Sequence, residues 1–439
     1  MSQEHPVQYA WQLLHFQQAA PTAFHTVAEA ERLLQGFTRL REQERWQLQP
    51  GGRYYLTRNG SALIAFVLPE DEPVGYQLVA AHNDSPCLKL KEVPELQAAE
   101  HYVQLNVEPY GGAILSTWMD RPLSVAGRVL VRTAEGICSR LVNLDRDMCV
   151  IPIVAIHMNR AMNDGYKIQP QLDLNPMWGS EQAAGSLRWQ VAEAAGAEEK
   201  DILGSDLYLY NRMPGCVWGV EQAYLSAARL DDLECAWTAL QALLRSPAAG
   251  HVNVCCLFDN EEVGSATRQG ADSAFLGDTL ARISLALGKD AQAHQLMLAS
   301  SFLLSADNAH AVHPNHPEFS DPQNRAWMNG GVVLKFNASQ RYITDGLSAA
   351  LFHALCEDAG VPVQHYANRS DMRGGSTLGH LSLSHVSIPS ADIGLAQLAM
   401  HSAWETAGTM DLDWMIQALS AFYRRGLRAV DDGRLLIGG

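Results

Sequence analysis

The run Val252-Asn253-Val254-Cys255-Cys256-Leu257-Phe258 ends directly in Asp259-Asn260-Glu261-Glu262, followed by Val263-Gly264-Ser265. The apolar part has the length and composition of a strand covered on both faces. The polar part then falls at the carboxyl edge of a sheet, where open α/β folds place their ligands and chemistry. Neighbouring buried carboxylates repel, so this pair calls for cations or a proton. A solvated acidic turn is the plainer alternative for a lone Glu-Glu pair. The strand before it and the partners described below set that alternative aside.

A chain of 439 residues has room for two domains, or for one large domain with an insertion. With 47% hydrophobic and 18% charged residues, it can bury a sizeable core. No stretch is long and apolar enough to predict a spanning helix, and the opening residues carry no secretory pattern, so a cytoplasmic location is expected. The eight cysteines are scattered without a Cys-x-x-Cys pair, which fits reduced thiols rather than a disulfide framework or structural zinc site. A formal net charge of -16 argues against nucleic acid and anionic membranes as partners.

In chain order, helical periodicity runs through residues 8–45, broken at Pro21. A hairpin is expected around Asn59-Gly60, between Tyr54–Thr57 and Ser61–Val67. Gln77–Ala81 is a further buried strand, leading into His82-Asn83-Asp84. From 92 to 222 the texture becomes β-rich, with strands expected at Val103–Val107, Leu123–Val131 and Val150–Ile156. The αβ alternation then returns: helix 231–245, strand 252–258, helix 273–287, strands 299–305 and 331–337, helix 345–358, strand 361–366, helix 392–407 and a last helix over 411–425. The expected domains are therefore 1–91 with 223–439, and an inserted 92–222.

Ionisable residues collect at the predicted strand ends. His82 and Asp84 stand two apart after one strand and share a face. Asp231 and Asp232 open a helix, Asp307 follows Phe302-Leu303-Leu304, and His401 falls within the expected 392–407 helix. Taken singly, each has a plainer role: core histidine, helix N-cap or turn aspartate. Together, two imidazoles and several carboxylates are what a pair of borderline divalent cations requires. One carboxylate can bridge such a pair while a glutamate held off the metals serves as general base.

Four ordered segments carry a family resemblance: Ala81-His82-Asn83-Asp84-Ser85-Pro86, Asp259 to Ser265, Ser305 to Asn315 and Gln397 to Ser402. With Pro21–His25, Tyr110-Gly111-Gly112 and Trp118–Arg121, they resemble the aspartyl aminopeptidases, dinuclear zinc metallopeptidases, over nearly the whole chain. The resemblance implies a three-layer αβα catalytic domain with a mixed sheet, of the co-catalytic zinc exopeptidase type, plus an inserted β-rich dimerisation domain. It implies two divalent ions per subunit, zinc foremost, with cobalt and manganese also suited to the donors. His82, Asp231, Glu262, Asp307 and His401 would be the ligands, Asp231 bridging and His82 paired with Glu262 on one metal. Glu261 would be the general base, and Asp84 would orient His82. A cis peptide is expected at Asp231–Asp232. The family also implies a homo-oligomer, a tetrahedral dodecamer built from dimers.

The implied activity is removal of an N-terminal Asp or Glu from peptides by a hydroxide held between the metals. On the substrate side the resemblance points to Lys335, Tyr342 and His313, and to His157, which the family's insertion sends into a neighbouring subunit. Lys335 could equally be an edge-strand lysine reaching solvent. Arg373 is the other candidate cation; its glycine-rich segment lacks the Gly-Lys-Ser/Thr ending of a phosphate loop. Asp232 stands where the family commonly has Asn, and Trp404 where Arg is common, which bears on the strictness of acidic preference. The rivals are a broader aminopeptidase or aminoacylase-like deacylase, a non-catalytic assembly protein, and a two-metal phosphoesterase.

Overall fold

The structure, a computed structural model, describes residues 6–425 and 427–438 apart from 373, 376 and 383. Residues 1–5 and Arg373 therefore lie outside the described residues.

A nine-stranded mixed sheet organises the chain. Its order is Thr38–Arg39, Arg53–Arg58, Ala62–Val67, Val252–Phe258, Tyr76–His82, Phe302–Ala306, Ser390–Gly394, Val332–Phe336 and Val363–Ala367. The Val252–Phe258 strand is buried at every position and runs parallel to Tyr76–His82, which runs parallel to Phe302–Ala306. Three parallel strands thus end together, and their ends carry Glu261 and Glu262, His82 and Asp84, and Asp307. The Arg53–Arg58 and Ala62–Val67 hairpin closes as expected through the three-residue connection 59–61, with Asn59 at φ 58° and Gly60 at φ 69°, both in the left-handed region.

Helices cover both faces. On one side Pro6–Ala19, Leu230–Arg245, Gly346–Ala359 and Thr409–Arg425 pack Leu13, Trp237, Phe352 and Phe422 against the sheet. On the other, Phe275, Leu280 and Met297 from Phe275–Ala286 and Ala291–Ala299 meet Ile64, Leu78 and Val254. The alternating inward residues of each strand divide between these two cores, giving three layers. No helix among the described residues is long and apolar enough to cross a membrane.

A six-stranded antiparallel sheet, with a core of its own around Leu105, Trp118, Val129 and Leu209, is formed by Gly136–Asn143, Leu123–Thr133, Ile202–Asn211, Cys87–Ala98, Tyr102–Tyr110 and Met177–Ser180. The expected strand at Val150–Ile156 is not formed. That segment is irregular beyond a bridge from Val150 to Met177, and exposes Ile153, Val154, Ile156 and Met158. Its β-branched residues carry the propensity, but beyond the Val150 bridge no strand among the described residues continues the pairing.

The expected helix over 392–407 is also absent. In its place are strands Ser390–Gly394, Ala396–Leu398 and Glu405–Gly408. A continuously buried apolar run has the same pattern as a strand or a buried helix. The later two strands join a small sheet ordered Cys216–Trp218, Tyr224–Ala227, Glu405–Gly408, Ala396–Leu398 and Ala309–His310. His401 consequently sits in a turn, at φ 68°, rather than on a helix. Residues 34–45 likewise leave the helical pattern, and Thr38–Arg39 forms the sheet's edge.

Candidate active site

The strand ends and the small sheet converge on Asp231. This residue opens the Leu230–Arg245 helix and is buried; the Asp231–Asp232 peptide is cis, as expected. His82 Nε2 lies 3.5 Å from Asp231 Oδ1, and His401 Nε2 lies 3.4 Å from Asp231 Oδ2. His401 Nε2 is also 3.4 Å from Glu262 Oε2. Potential ligand atoms fall within 4.8 Å of one another in three groupings: His82 with Asp231, Asp232 and Asp307; Asp231 with Glu262 and His401; and His82 with Glu261 and Glu262.

Both imidazoles are aimed by their other nitrogen. His82 Nδ1 donates to the Asp84 carbonyl at 3.1 Å, and His401 Nδ1 donates to the Gly112 carbonyl at 3.1 Å. A carbonyl only accepts, so each Nδ1 carries a hydrogen, and Nε2 is the nitrogen left facing Asp231, able to ligate a metal once deprotonated. This is the arrangement of a metal-ligating histidine. Gly112 lies just beyond the Tyr102–Tyr110 strand, so the second sheet helps to build the centre. Asp84 accepts from the Glu261 amide at 3.0 Å, the Glu262 amide at 3.2 Å and the Tyr110 hydroxyl at 2.6 Å. One carboxylate therefore ties the Glu261-Glu262 turn to the end of the neighbouring strand.

The electrostatics call for cations. Burial, then Asp231 and other acids nearby, pushes the Glu262 carboxyl well above its ordinary range. Burial raises Glu261 to about 8, with His82 opposing and Asp307 adding to the rise. Burial also raises Asp232, and Asp307 adds to it against the pull of His82. Burial alone would depress His82, but the Asp231 and Asp84 carboxylates beside it hold it well above an ordinary imidazole. Buried Asp231 Oδ1, Asp232 Oδ1 and Glu262 Oε1 have no hydrogen-bond partner. Unpartnered carboxylate oxygens beside two aimed imidazole nitrogens fit divalent cations of the zinc type.

On the substrate side, the cleft is lined by His310, Lys335, Tyr342 and Thr377 as well as the cluster. Lys335 is neither at a sheet edge nor reaching solvent: its strand is flanked on both sides and it is 1% exposed. Its Nζ donates to the Asp307 carbonyl at 2.6 Å and the Asn308 carbonyl at 3.3 Å, over the Tyr342 ring at 5.2 Å. The cleft lining includes His310 and not His313, which is exposed and lies tilted against His316. Nothing local in the sequence marks the two-residue strand of His310; pairing with Ala396-Gln397 puts it there. His157 lies exposed in the irregular 150–158 segment and does not line this subunit's cleft.

A family model described as "Aminopeptidase I zinc metalloprotease (M18)" matches residues 16–423. The chain belongs to the M18 family of zinc metalloaminopeptidases. A probable M18 family aminopeptidase 2 of Clostridium acetobutylicum is 42% identical over 427 residues, covering 95% of this chain and 99% of that one. Its namesake in Pseudomonas aeruginosa is 41% identical over 422 residues, covering 94% and 97%. Among solved structures, a chain in the cryo-EM structure of the Ape4 and Nbr1 complex superposes with a TM-score of 0.92 at 32% identity, over 95% of this chain and 86% of that one. The mApe1 dodecamer of S. cerevisiae gives a TM-score of 0.83 at 29% identity, over 94% and 96%. As an M18 member the protein is a zinc-family aminopeptidase, with the mixed α/β architecture its strand pattern implied.

Proposed function

We propose that this M18 enzyme releases N-terminal Asp or Glu from peptides at a dinuclear centre bridged by Asp231. The observation that carries this reading is the Asp231 carboxylate, with a differently placed imidazole facing each oxygen. His82 and Asp307 would complete one metal position, and Glu262 and His401 the other. This pairing differs from the one implied by resemblance: Glu262 stands beside His401 rather than alone with His82. Zinc suits the donors best, with cobalt and manganese as competent substitutes.

His82, Asp231, Glu262, Asp307 and His401 would hold the cations, which would supply Lewis acidity toward the scissile carbonyl and ease deprotonation of a water in the site. Glu261, close to the cluster but absent from the Asp231-centred groupings, takes the proton from the attacking water and delivers it to the leaving amine nitrogen. Asp84 holds His82 and the Glu261-Glu262 turn in register. His310, Lys335 and Tyr342 line the substrate side. His157 would reach the cleft of a neighbouring subunit and polarise the carbonyl there.

A homo-oligomer, a dodecamer built from dimers in the cytoplasm, accords with this role for His157. The β-rich 92–222 segment would be the contact unit and residues 1–91 with 223–439 the catalytic unit. The exposed apolar residues at 153–158 support it, since such patches mark contact surfaces.

One observation favours a broader aminopeptidase as the second reading. Lys335 already serves two backbone carbonyls, which leaves a single N–H for a substrate carboxylate. Hydrolysis of peptides beginning with Asp, Glu, Ala, Leu and Lys separates the two readings. Cleavage confined to Asp and Glu, with KM raised by Lys335→Met, supports the acidic preference. Comparable cleavage of Ala or Leu peptides contradicts it and retains the metal chemistry.

A further inference from the structure

Glu405 is 1% exposed, and its two oxygens are spent on two backbone amides. Oε2 accepts the Asp231 amide at 3.0 Å, and Oε1 accepts the His401 amide at 2.8 Å. Asp231 and His401 are distant in sequence but share a cluster of potential ligand atoms with Glu262.

The small sheet explains how one side chain reaches both. Glu405 pairs with Ala227, the last residue of the strand that leads into the Asp231 helix. On its other side, Thr406 pairs with Leu398, so the His401 turn closes directly above Glu405. That turn is conformationally demanding: Ala399 and His401 both have positive φ, at 57° and 68°, a region non-glycine residues occupy at a cost. Apart from its Nε2, His401 is held at its amide by Glu405, at its ring Nδ1 by the Gly112 carbonyl, and at its own carbonyl by the Ile114 amide at 2.9 Å. The Glu405 contact ties its backbone to that of Asp231, besides the 3.4 Å approach of His401 Nε2 to Asp231 Oδ2.

We propose that Glu405 is a positioning residue of the metal centre: one carboxylate that fixes the backbones of a bridging and a terminal ligand relative to each other. It would not touch metal or substrate. Its effect would be to present Asp231 Oδ2 and His401 Nε2 to one cation at a fixed separation. The inference rests on taking Asp231 and His401 as ligands.

The test is metal affinity, measured on metal-stripped protein by competition with a chelator, together with the visible spectrum of the cobalt-loaded protein. Glu405→Gln keeps the size but sets an NH2 group against one of the amide donors. Glu405→Asp keeps the charge and is too short to reach both. Each should bind zinc or cobalt about 10–100-fold more weakly, the usual penalty for losing an outer partner of a ligand. Each should also shift the cobalt spectrum and lower kcat more than it changes KM. His401→Ala serves as the control. If it binds metal as the wild type does, the ligand assignment fails and this proposal with it. If His401→Ala loses affinity while both Glu405 variants keep the wild-type affinity and spectrum, the proposal alone is overturned. Failure of both Glu405 variants to fold also overturns it, since Glu405 would then be a folding element of the small sheet.

Discussion

At the scale of single residues, the proposed chemistry depends on which carboxylate would be left off the metals. Glu261→Gln should lower kcat by about 10²–10⁴ and leave metal content unchanged, because the amide keeps the side chain's shape. Steady-state kinetics beside metal analysis checks both halves. A second residue-scale expectation concerns His25, which is 8% exposed and bonded through Nδ1 to the Thr22 hydroxyl at 2.9 Å. Burial first, then the Arg229 charge, depresses its pKa to about 4. The unfolded chain therefore binds this proton before the native state does. Stability from this group is present above about 6.5 and declines as the pH falls toward 4, by on the order of 3 kcal/mol in full. His25→Gln should flatten the Tm-against-pH curve over that interval, and a parallel curve would contradict the assignment. The cluster's residue types were legible because acids and imidazoles at the ends of apolar runs have few other reasons to gather. Glu405 and His310 were not legible, since each reaches the site through a strand pairing remote in sequence.

At the scale of elements, three parallel strands and one helix start do most of the positioning, and their periodicity made them readable. The small sheet was hidden because Ala391, Ile393, Leu395 and Ala396 form one unbroken buried run, which strand and helix share. Close packing at the end of that run gives a test. A Cβ built on Gly394 would fall inside the Asp307 carbonyl, whose oxygen also accepts from Lys335. Gly394→Ala should therefore cost about 1–3 kcal/mol, as overpacking does, and displace Asp307. The expected signature is a lower Tm together with weaker metal binding; a lower Tm with unaltered affinity would place the strain elsewhere.

At the scale of the whole molecule, the second sheet supplies the Gly112 carbonyl and the Tyr110 hydroxyl to its own subunit's centre, while its exposed 153–158 segment faces outward with His157. Co-assembly of Glu261→Gln subunits with His157→Ala subunits tests whether sites are shared. If His157 acts across the interface, mixed assemblies regain activity that neither parent has, because a His157→Ala subunit receives an intact His157 from its neighbour. No regain means that His157 acts within its own chain or not at all. The most direct test of the central claim is metal titration of the stripped enzyme, following peptide hydrolysis against equivalents added. The account predicts full activity only at two equivalents per subunit, with Glu261→Gln binding the same two and turning over little. Full activity at one equivalent, or wild-type turnover by Glu261→Gln, would contradict a dinuclear centre with Glu261 as its base.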